Sequence, residues 1–281
     1  MMQDFQLHSE DHYILAARKY SSLNAKATIV MASATGVPQG FYRAFAEYAN
    51  TQGFQVISFD YRGIAASAPA DLSQMHMSYL DWGRYDLTAA IACAAVDRLP
   101  IFVVGHSYGG QALGLCQNHH LVRAMYCFGT GAGWTGYMPM PERLKVLSFW
   151  NLIFPALVAY YGYLPWEKLG MGANLPRDVY VQWKKWCQSP HYFFDDPAYS
   201  HLHPQFAQVQ CPIYAVSALD DLWALPASRE AFMQHYRTAP LHYIDIQPEQ
   251  YGLNSIGHMG YFRKSAQALW QVMLERFSTY L

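Results

Sequence analysis

The sequence predicts an α/β protein: a mostly parallel sheet flanked by helices, with an inserted helical cap. Three observations carry this. Short strand-like runs alternate with longer helical ones, the pattern of a sheet covered on both faces. A glycine-flanked serine, Gly105-His106-Ser107-Tyr108-Gly109, sits directly between an apolar run and a helical one. The alternation stops over residues 134–206, where 17 of 73 residues are aromatic and five of the eight tryptophans fall. A structureless loop of that length does not suit a compact domain, so an inserted helical layer is expected there. The expected organisation is a core of residues 1–133 and 207–281 and a cap of residues 134–206.

The elements follow in order. Residues 13–18 read as an early strand at the sheet's antiparallel edge. Ala27–Ala32 is a strand, and residues 41–52 form a helix ended by Gly53. Residues 55–59 make the next strand, closed by Asp60-Tyr61-Arg62-Gly63, a turn expected to hold a buried ion pair. An alanine-rich helix spans 79–97 and stops near Pro100. The run Ile101-Phe102-Val103-Val104 leads into the serine pentapeptide, and a helical pattern starts at Gly110. Residues 125–129 are a strand. After the cap come a strand at 213–217, a helix at 226–236, a strand at Leu241–Ile246 and a final helix at 261–277.

Composition narrows the class. The chain has 281 residues, 52% hydrophobic and 14% charged, which suits one large domain or one domain with an insertion. Net charge is −1 with no basic stripe, so no nucleic-acid partner is expected. Five scattered cysteines, an odd number, fit reduced thiols in a cytoplasmic protein. The first residues lack a basic stretch followed by an apolar run, so no secretory signal is expected. Residues 147–165 are nearly long enough to span a bilayer. They contain Ser148, Asn151, Pro155, Gly162 and three tyrosines. A buried or pocket-lining helix is expected there, with no stable membrane insertion.

The strand–turn–helix setting of Ser107 is that of a nucleophile elbow. A serine hydroxyl is a poor nucleophile near neutrality and needs a base within hydrogen-bond reach and a third group to orient that base. On such a sheet the acid and then the histidine should follow in loops after late strands. After the strand at 213–217 comes Ala218-Leu219-Asp220-Asp221. After Leu241–Ile246 comes Ile256-Gly257-His258-Met259-Gly260. His258 is the histidine placed between the last strand and the last helix. Of the two aspartates Asp221 is favoured, being further out of the strand, with Asp220 as the rival. The oxyanion donors expected are the backbone amides of Tyr108 and of Thr35, in the loop after Ala27–Ala32.

With these residues in view, the segments MASATGVPQGFYRAFAEYANTQGFQVISFDYRG, VVGHSYGG, ALDD and IGHMGYFR resemble the α/β-hydrolase superfamily. The likeness is nearest to bacterial hydrolases grouped with serine aminopeptidases and monoglyceride lipases, covers nearly the whole chain and weakens across the cap. It implies a hydrolase fold and a hydrolytic mechanism. In that superfamily the first loop usually opens His-Gly, where this chain has Ser33-Ala34. A proline commonly follows the acid by four residues, whereas Pro226 lies five after Asp221.

The expected activity is hydrolysis of carboxylic esters, with a small acyl or aromatic ester suggested by the apolar cap. An aminopeptidase or amidase is the first alternative, and Asp195, Asp196 and Glu167 are the candidates for holding a substrate amine. A catalytically silent ligand-binding protein on the same scaffold is the second. A serine at the elbow argues against dehalogenase or epoxide hydrolase chemistry, which usually needs an aspartate there. No cofactor is expected. No metal is expected either, because His119-His120 and His201-Leu202-His203 lack partners at ligand spacing. Asp195-Asp196 is expected to be a solvated turn.

Overall fold

The computed structural model describes residues 1–281. The chain opens with β1 (Met2–His8) and β2 (Ile14–Tyr20), an antiparallel pair. β2 is the early strand expected at 13–18. β1 has no counterpart in the sequence reading: it is mostly polar, and only Leu7 is buried, so it lacks the apolar run that marks an interior strand. Next come β3 (Ala27–Ala32), α1 (Arg43–Thr51) and β4 (Phe54–Phe59). A π-helical turn at Trp82–Leu87 runs into α2 (Thr88–Ala95), followed by β5 (Ile101–His106), α3 (Tyr108–Gln111) and β6 (Val122–Phe128).

Several helices are shorter than their sequence patterns; the helix expected at 226–236, for one, ends at Met233. The helix expected over 79–97 begins only at Trp82, after a turn in which the Tyr79 amide donates to Gln182 Oε1 at 2.6 Å. The helical pattern from Gly110 yields α3 and one 3₁₀ turn at Leu113–Leu115, since the Gly114 amide donates to Tyr236 Oη instead of a helical carbonyl.

The segment 134–206 lies between β6 and the next sheet strand. It holds α4 (Met140–Ser148), a π-helical turn at Phe149–Ile153, α5 (Phe154–Tyr161), the two-residue strands β7 (Tyr163–Leu164) and β8 (Leu175–Pro176), α6 (Arg177–Trp186) and α7 (Leu202–Phe206). The small β7–β8 pair was not legible in the sequence. The continuous helical stretch Met140–Tyr161 is long and apolar enough to cross a membrane. The expectation of a buried or pocket-lining helix over residues 147–165 holds for one flank only. The helix is two-sided: Trp150, Phe154 and Val158 face inward, while Leu152 is 72% exposed and Tyr160 82%. Composition reveals an apolar helix but not which flank it presents.

Of the pair expected to be a solvated turn, Asp195 is exposed but Asp196 is not. Asp196 is buried and accepts from Trp186 Nε1 at 3.2 Å and from Lys185 Nζ at 2.6 Å. Both partners come from α6, which no local pattern around Asp196 discloses.

The sheet resumes with β9 (Ile213–Ala218), α8 (Pro226–Met233), β10 (Leu241–Ile246) and α9 (Gln267–Ser278). The last helix starts six residues later than expected, after two 3₁₀ turns at Gly260–Phe262 and Lys264–Ala266. The eight-stranded order is β1-β2-β4-β3-β5-β6-β9-β10, with only β1 and β2 antiparallel to their neighbours. β3, β4, β5 and β9 are buried at every residue, as expected of parallel strands covered on both faces. Along β5, Ile101 and Val103 enter one core while Phe102 and Val104 enter the other.

The turn at Asp60-Tyr61-Arg62-Gly63 does hold a buried ion pair, though not within itself. Arg62 pairs with Asp86 at 2.7 Å and Asp11 at 2.5 Å, while Asp60 accepts from the Gln39 amide at 2.7 Å.

β3 lies between β4 and β5, so the chain leaves it in one direction and returns on the other side. This is a topological switch, and the crevice at the carboxyl ends of β3 and β5 is the preferred place for a ligand. Register aligns the strand ends: Ala32 sits beside Gly105, His106 beside Phe128, and Ala218 beside Ile246. The loops after these strands therefore emerge along one edge.

Candidate active site

β5 ends at His106 and the chain turns at Ser107 with φ 52° and ψ −114°. A residue with a Cβ adopts such a conformation only when its surroundings impose it. Here the Ser107 amide donates to Phe128 O at 2.9 Å, and the Ser107 carbonyl accepts from Thr130 Oγ1 at 2.9 Å and Gly110 N at 3.0 Å. The flanking glycines allow the close approach. A Cβ on Gly109 would lie 2.0 Å from Ala32 O, and one on Gly105 would lie 2.5 Å from Gly110 N.

The Ser107 hydroxyl is 3.0 Å from His258 Nε2, and His258 Nδ1 is 3.0 Å from both carboxylate oxygens of Asp221. An ionised carboxylate only accepts, so Nδ1 carries the proton and Nε2 is free to accept from Ser107. Asp221 is fully buried and also accepts from Tyr261 O–H at 2.9 Å and Trp223 N–H at 3.1 Å. Asp220 points elsewhere. Its carboxylate accepts from Ser255 Oγ at 2.7 Å and the Ile256 amide at 2.8 Å, holding the loop that carries His258. The adjacent aspartates thus have separate partners.

Burial pushes the His258 imidazolium down in stability, but the Asp221 carboxylate and its hydrogen bond more than offset this, so the histidine's pKa is raised above its ordinary value.

The amides of Thr35 and Tyr108 face no acceptor within the protein. For Tyr108 this follows from its place as the first residue of α3, where no helical carbonyl is available. The Thr35 loop is fixed from three sides. Its hydroxyl is hydrogen-bonded to the Tyr79 hydroxyl, the Ala34 amide donates to Tyr42 Oη at 2.9 Å, and Gly36 O accepts from Ala173 N at 2.8 Å. Gly36 has φ +70°, and a Cβ there would lie 2.7 Å from the Trp166 ring. The 134–206 segment therefore rests directly on the loop carrying Thr35.

A chamber of about 490 Å³ opens over Ser107. Ser107, His258, Thr35 and Tyr108 all line it, and its walls include Trp166, Trp183, Trp223, Tyr79, Tyr192 and Met259. None of its lining residues is an aspartate or glutamate. The acidic candidates for an amine lie outside it: Asp195 bonds His191 at 3.0 Å, Asp196 is paired with Lys185, and Glu167 takes the Asn174 amide at 3.3 Å. Among the paired histidines, His201 is bonded to Arg84 and His203 to Phe194 O. No cluster of three or more metal-ligating side chains occurs.

Several contributors were not found from the sequence. Tyr79 supports Thr35, Tyr261 and Trp223 hold Asp221, and Tyr42 holds Ala34. Tyr79 and Tyr261 act across about 40 residues of sequence, whereas the Trp223 amide and the Tyr42 hydroxyl reach partners two and eight residues away. An aromatic residue in an aromatic-rich chain carries no local mark of such a role.

No curated protein sequence matches the chain. Its fold is similar to several solved structures. One is an esterase domain of a Rhodothermus marinus protein (TM-score 0.63, 17% identity, covering 100% of this chain and 99% of that one). Another is a Pyrococcus furiosus esterase (TM-score 0.67, 11% identity, 100% and 91%). A third is an alpha/beta hydrolase from a Penicillium species (TM-score 0.67, 14% identity, 100% and 99%). The profile of the alpha/beta hydrolase family matches residues 29–262. With that match spanning most of the sheet and the loops at its edge, the chain belongs to the alpha/beta hydrolase family.

Proposed function

We propose that the protein is a serine hydrolase of small apolar carboxylic esters. The observation that carries this reading is the continuous hydrogen-bonded line Ser107–His258–Asp221, with 3.0 Å at each step, at the floor of an apolar chamber. Ser107 Oγ attacks the ester carbonyl carbon as His258 Nε2 takes its proton, and the carbonyl electron pair moves onto oxygen. The Thr35 and Tyr108 amides receive that oxyanion. The tetrahedral species collapses, the C–O bond to the alcohol breaks, and His258 returns the proton to the leaving alkoxide. Water then attacks the acyl group on Ser107 with His258 again as base. The acid leaves and the proton returns to Ser107. Asp221 keeps the imidazole oriented and stabilises its charged form.

The aromatic walls favour an acyl or aromatic group over a charged one. An aminopeptidase would need an anionic group for the substrate amine, and the chamber wall offers no carboxylate. A fluorophosphonate probe tests the reading: wild-type protein should be labelled and Ser107→Ala should not. Equal labelling of both ends it. A panel of p-nitrophenyl esters against aminoacyl anilides separates ester from amide preference, and turnover of the anilides alone would reverse the assignment.

A further inference from the structure

His106 precedes the elbow serine, is fully buried, and takes no part in the proton transfers above. Its ring joins two loops of the site. Nε2 lies 2.8 Å from the backbone carbonyl oxygen of His258, and Nδ1 lies 2.9 Å from Tyr42 Oη. Tyr42 Oη accepts in turn from the amide of Ala34 at 2.9 Å, and Ala34 is the residue before Thr35.

The hydrogens in this array have one consistent arrangement. A carbonyl oxygen carries no proton, so His106 Nε2 must donate to His258. In a neutral imidazole the other nitrogen accepts, so Tyr42 donates to Nδ1 while its oxygen takes the Ala34 N–H. Every group is then used once. A doubly protonated His106 would set an Nδ1–H against an oxygen that already accepts one, and would leave the Tyr42 hydroxyl proton without its acceptor. Burial acts in the same direction and holds the His106 pKa down at about 3. The rings of Tyr42 and Phe262, at 5.8 Å and 5.2 Å between centroids, pack beside it.

The structure points to His106 as a positioning residue: locked as the neutral Nε2–H tautomer, it is a strut that fixes the oxyanion loop and the His258 loop relative to each other across Ser107. This rests on the reading of Ser107 as nucleophile and His258 as base. The need for a strut is plain in the His258 loop. Gly257 has φ +53° with open space around it. Beyond the side-chain contact to Asp221, the backbone is held by Asp220 at Ile256 and by His106 at His258. A base or donor misplaced by about 1 Å costs on the order of 10²-fold in rate.

Three variants and one spectrum test the proposal. His106→Leu removes both arms. His106→Gln keeps an amide N–H that can reach the His258 carbonyl. Tyr42→Phe removes the donor to Nδ1 and the acceptor of Ala34. On p-nitrophenyl butyrate, His106→Leu and Tyr42→Phe should lower kcat by roughly 10-fold or more with KM little changed, and Gln should recover part of the loss. Ring ¹⁵N shifts of the unmodified protein at pH 7 should show His106 with Nε2 protonated and Nδ1 not, a readout that does not depend on any variant folding. The opposite tautomer, or an imidazolium, overturns the strut. So does unchanged kcat in both Tyr42→Phe and His106→Gln when the wild type is labelled by a fluorophosphonate. Wild-type protein that resists the probe instead sinks the hydrolase reading, and the positioning role with it.

Discussion

The Tyr261 hydroxyl donates to Asp221 Oδ2 at 2.9 Å while its oxygen accepts from the Ala218 amide at 2.9 Å. One phenol thus ties the end of β9 to the carboxylate that orients His258. Because Asp221 is fully buried, each donor to it replaces lost hydration. Tyr261→Phe leaves one carboxylate oxygen short of a donor and the Ala218 amide unpaired. A loss of about 1–3 kcal/mol in chemical unfolding is expected. The carboxylate, less shared, should also hold the His258 proton more tightly and move the acid limb of kcat/KM upward. A variant as stable as wild type with an unmoved limb would contradict this.

The pH profile follows from the raised pKa of His258. The base must be neutral to accept the Ser107 proton, so kcat/KM should rise with pH through a midpoint above the ordinary value of about 6.5. The same shift stabilises the fold below about pH 6.5, and that contribution fades as pH rises through the folded-state value. Asp221→Asn removes the opposing charge and leaves burial alone, so the midpoint should fall below 6.5 while the plateau drops by roughly 10³–10⁴-fold. Asp220→Asn should not shift the midpoint, since that side chain faces Ser255 and Ile256. A shift from Asp220→Asn equal to that from Asp221→Asn would refute the distinction.

Acid should destabilise the protein through two buried histidines. Burial lowers His106 to about 3 and, with the nearby His203 and His191, His235 to about 4. Both stay neutral in the fold but gain a proton readily when unfolded. Their contribution is complete above about pH 6.5 and is lost as pH falls toward 4 and 3. His235 stacks on Phe194 with centroids 3.7 Å apart, so His235→Phe should keep the packing and flatten the decline of Tm between pH 6 and 4. An unchanged slope would count against it.

Gly109→Ala places a methyl group 2.0 Å from the Ala32 carbonyl oxygen, which belongs to the sheet and cannot step aside. The variant should be strongly destabilised or fail to accumulate as folded protein. Gly40→Ala, which meets nothing within 4 Å, is the matched control and should melt within a few degrees of wild type by circular dichroism.

The legible part of this fold was its interior. β3, β4, β5 and β9 are predominantly apolar, and buried at every residue, because both faces are covered. Ser107, Asp221 and His258 could be singled out because each follows a strand whose end reaches the same edge. What escaped was set by remote contact or by exposure. β1 is a polar edge strand, the outward flank of Met140–Tyr161 shares its composition with a buried helix, and Asp196 is buried by partners on α6. Tyr79 and Tyr261 act through hydroxyls aimed at distant loops, and Tyr42 through one aimed back at Ala34; their neighbours in sequence say nothing of the direction.

The contact of Ala173 and Trp166 with Gly36 couples the chamber wall to the loop that carries Thr35. An outward swing of residues 166–173 has to sever the Ala173–Gly36 hydrogen bond and lift the indole from the glycine beside Thr35. The chamber therefore cannot widen at that wall without loosening the ground on which the Thr35 amide stands.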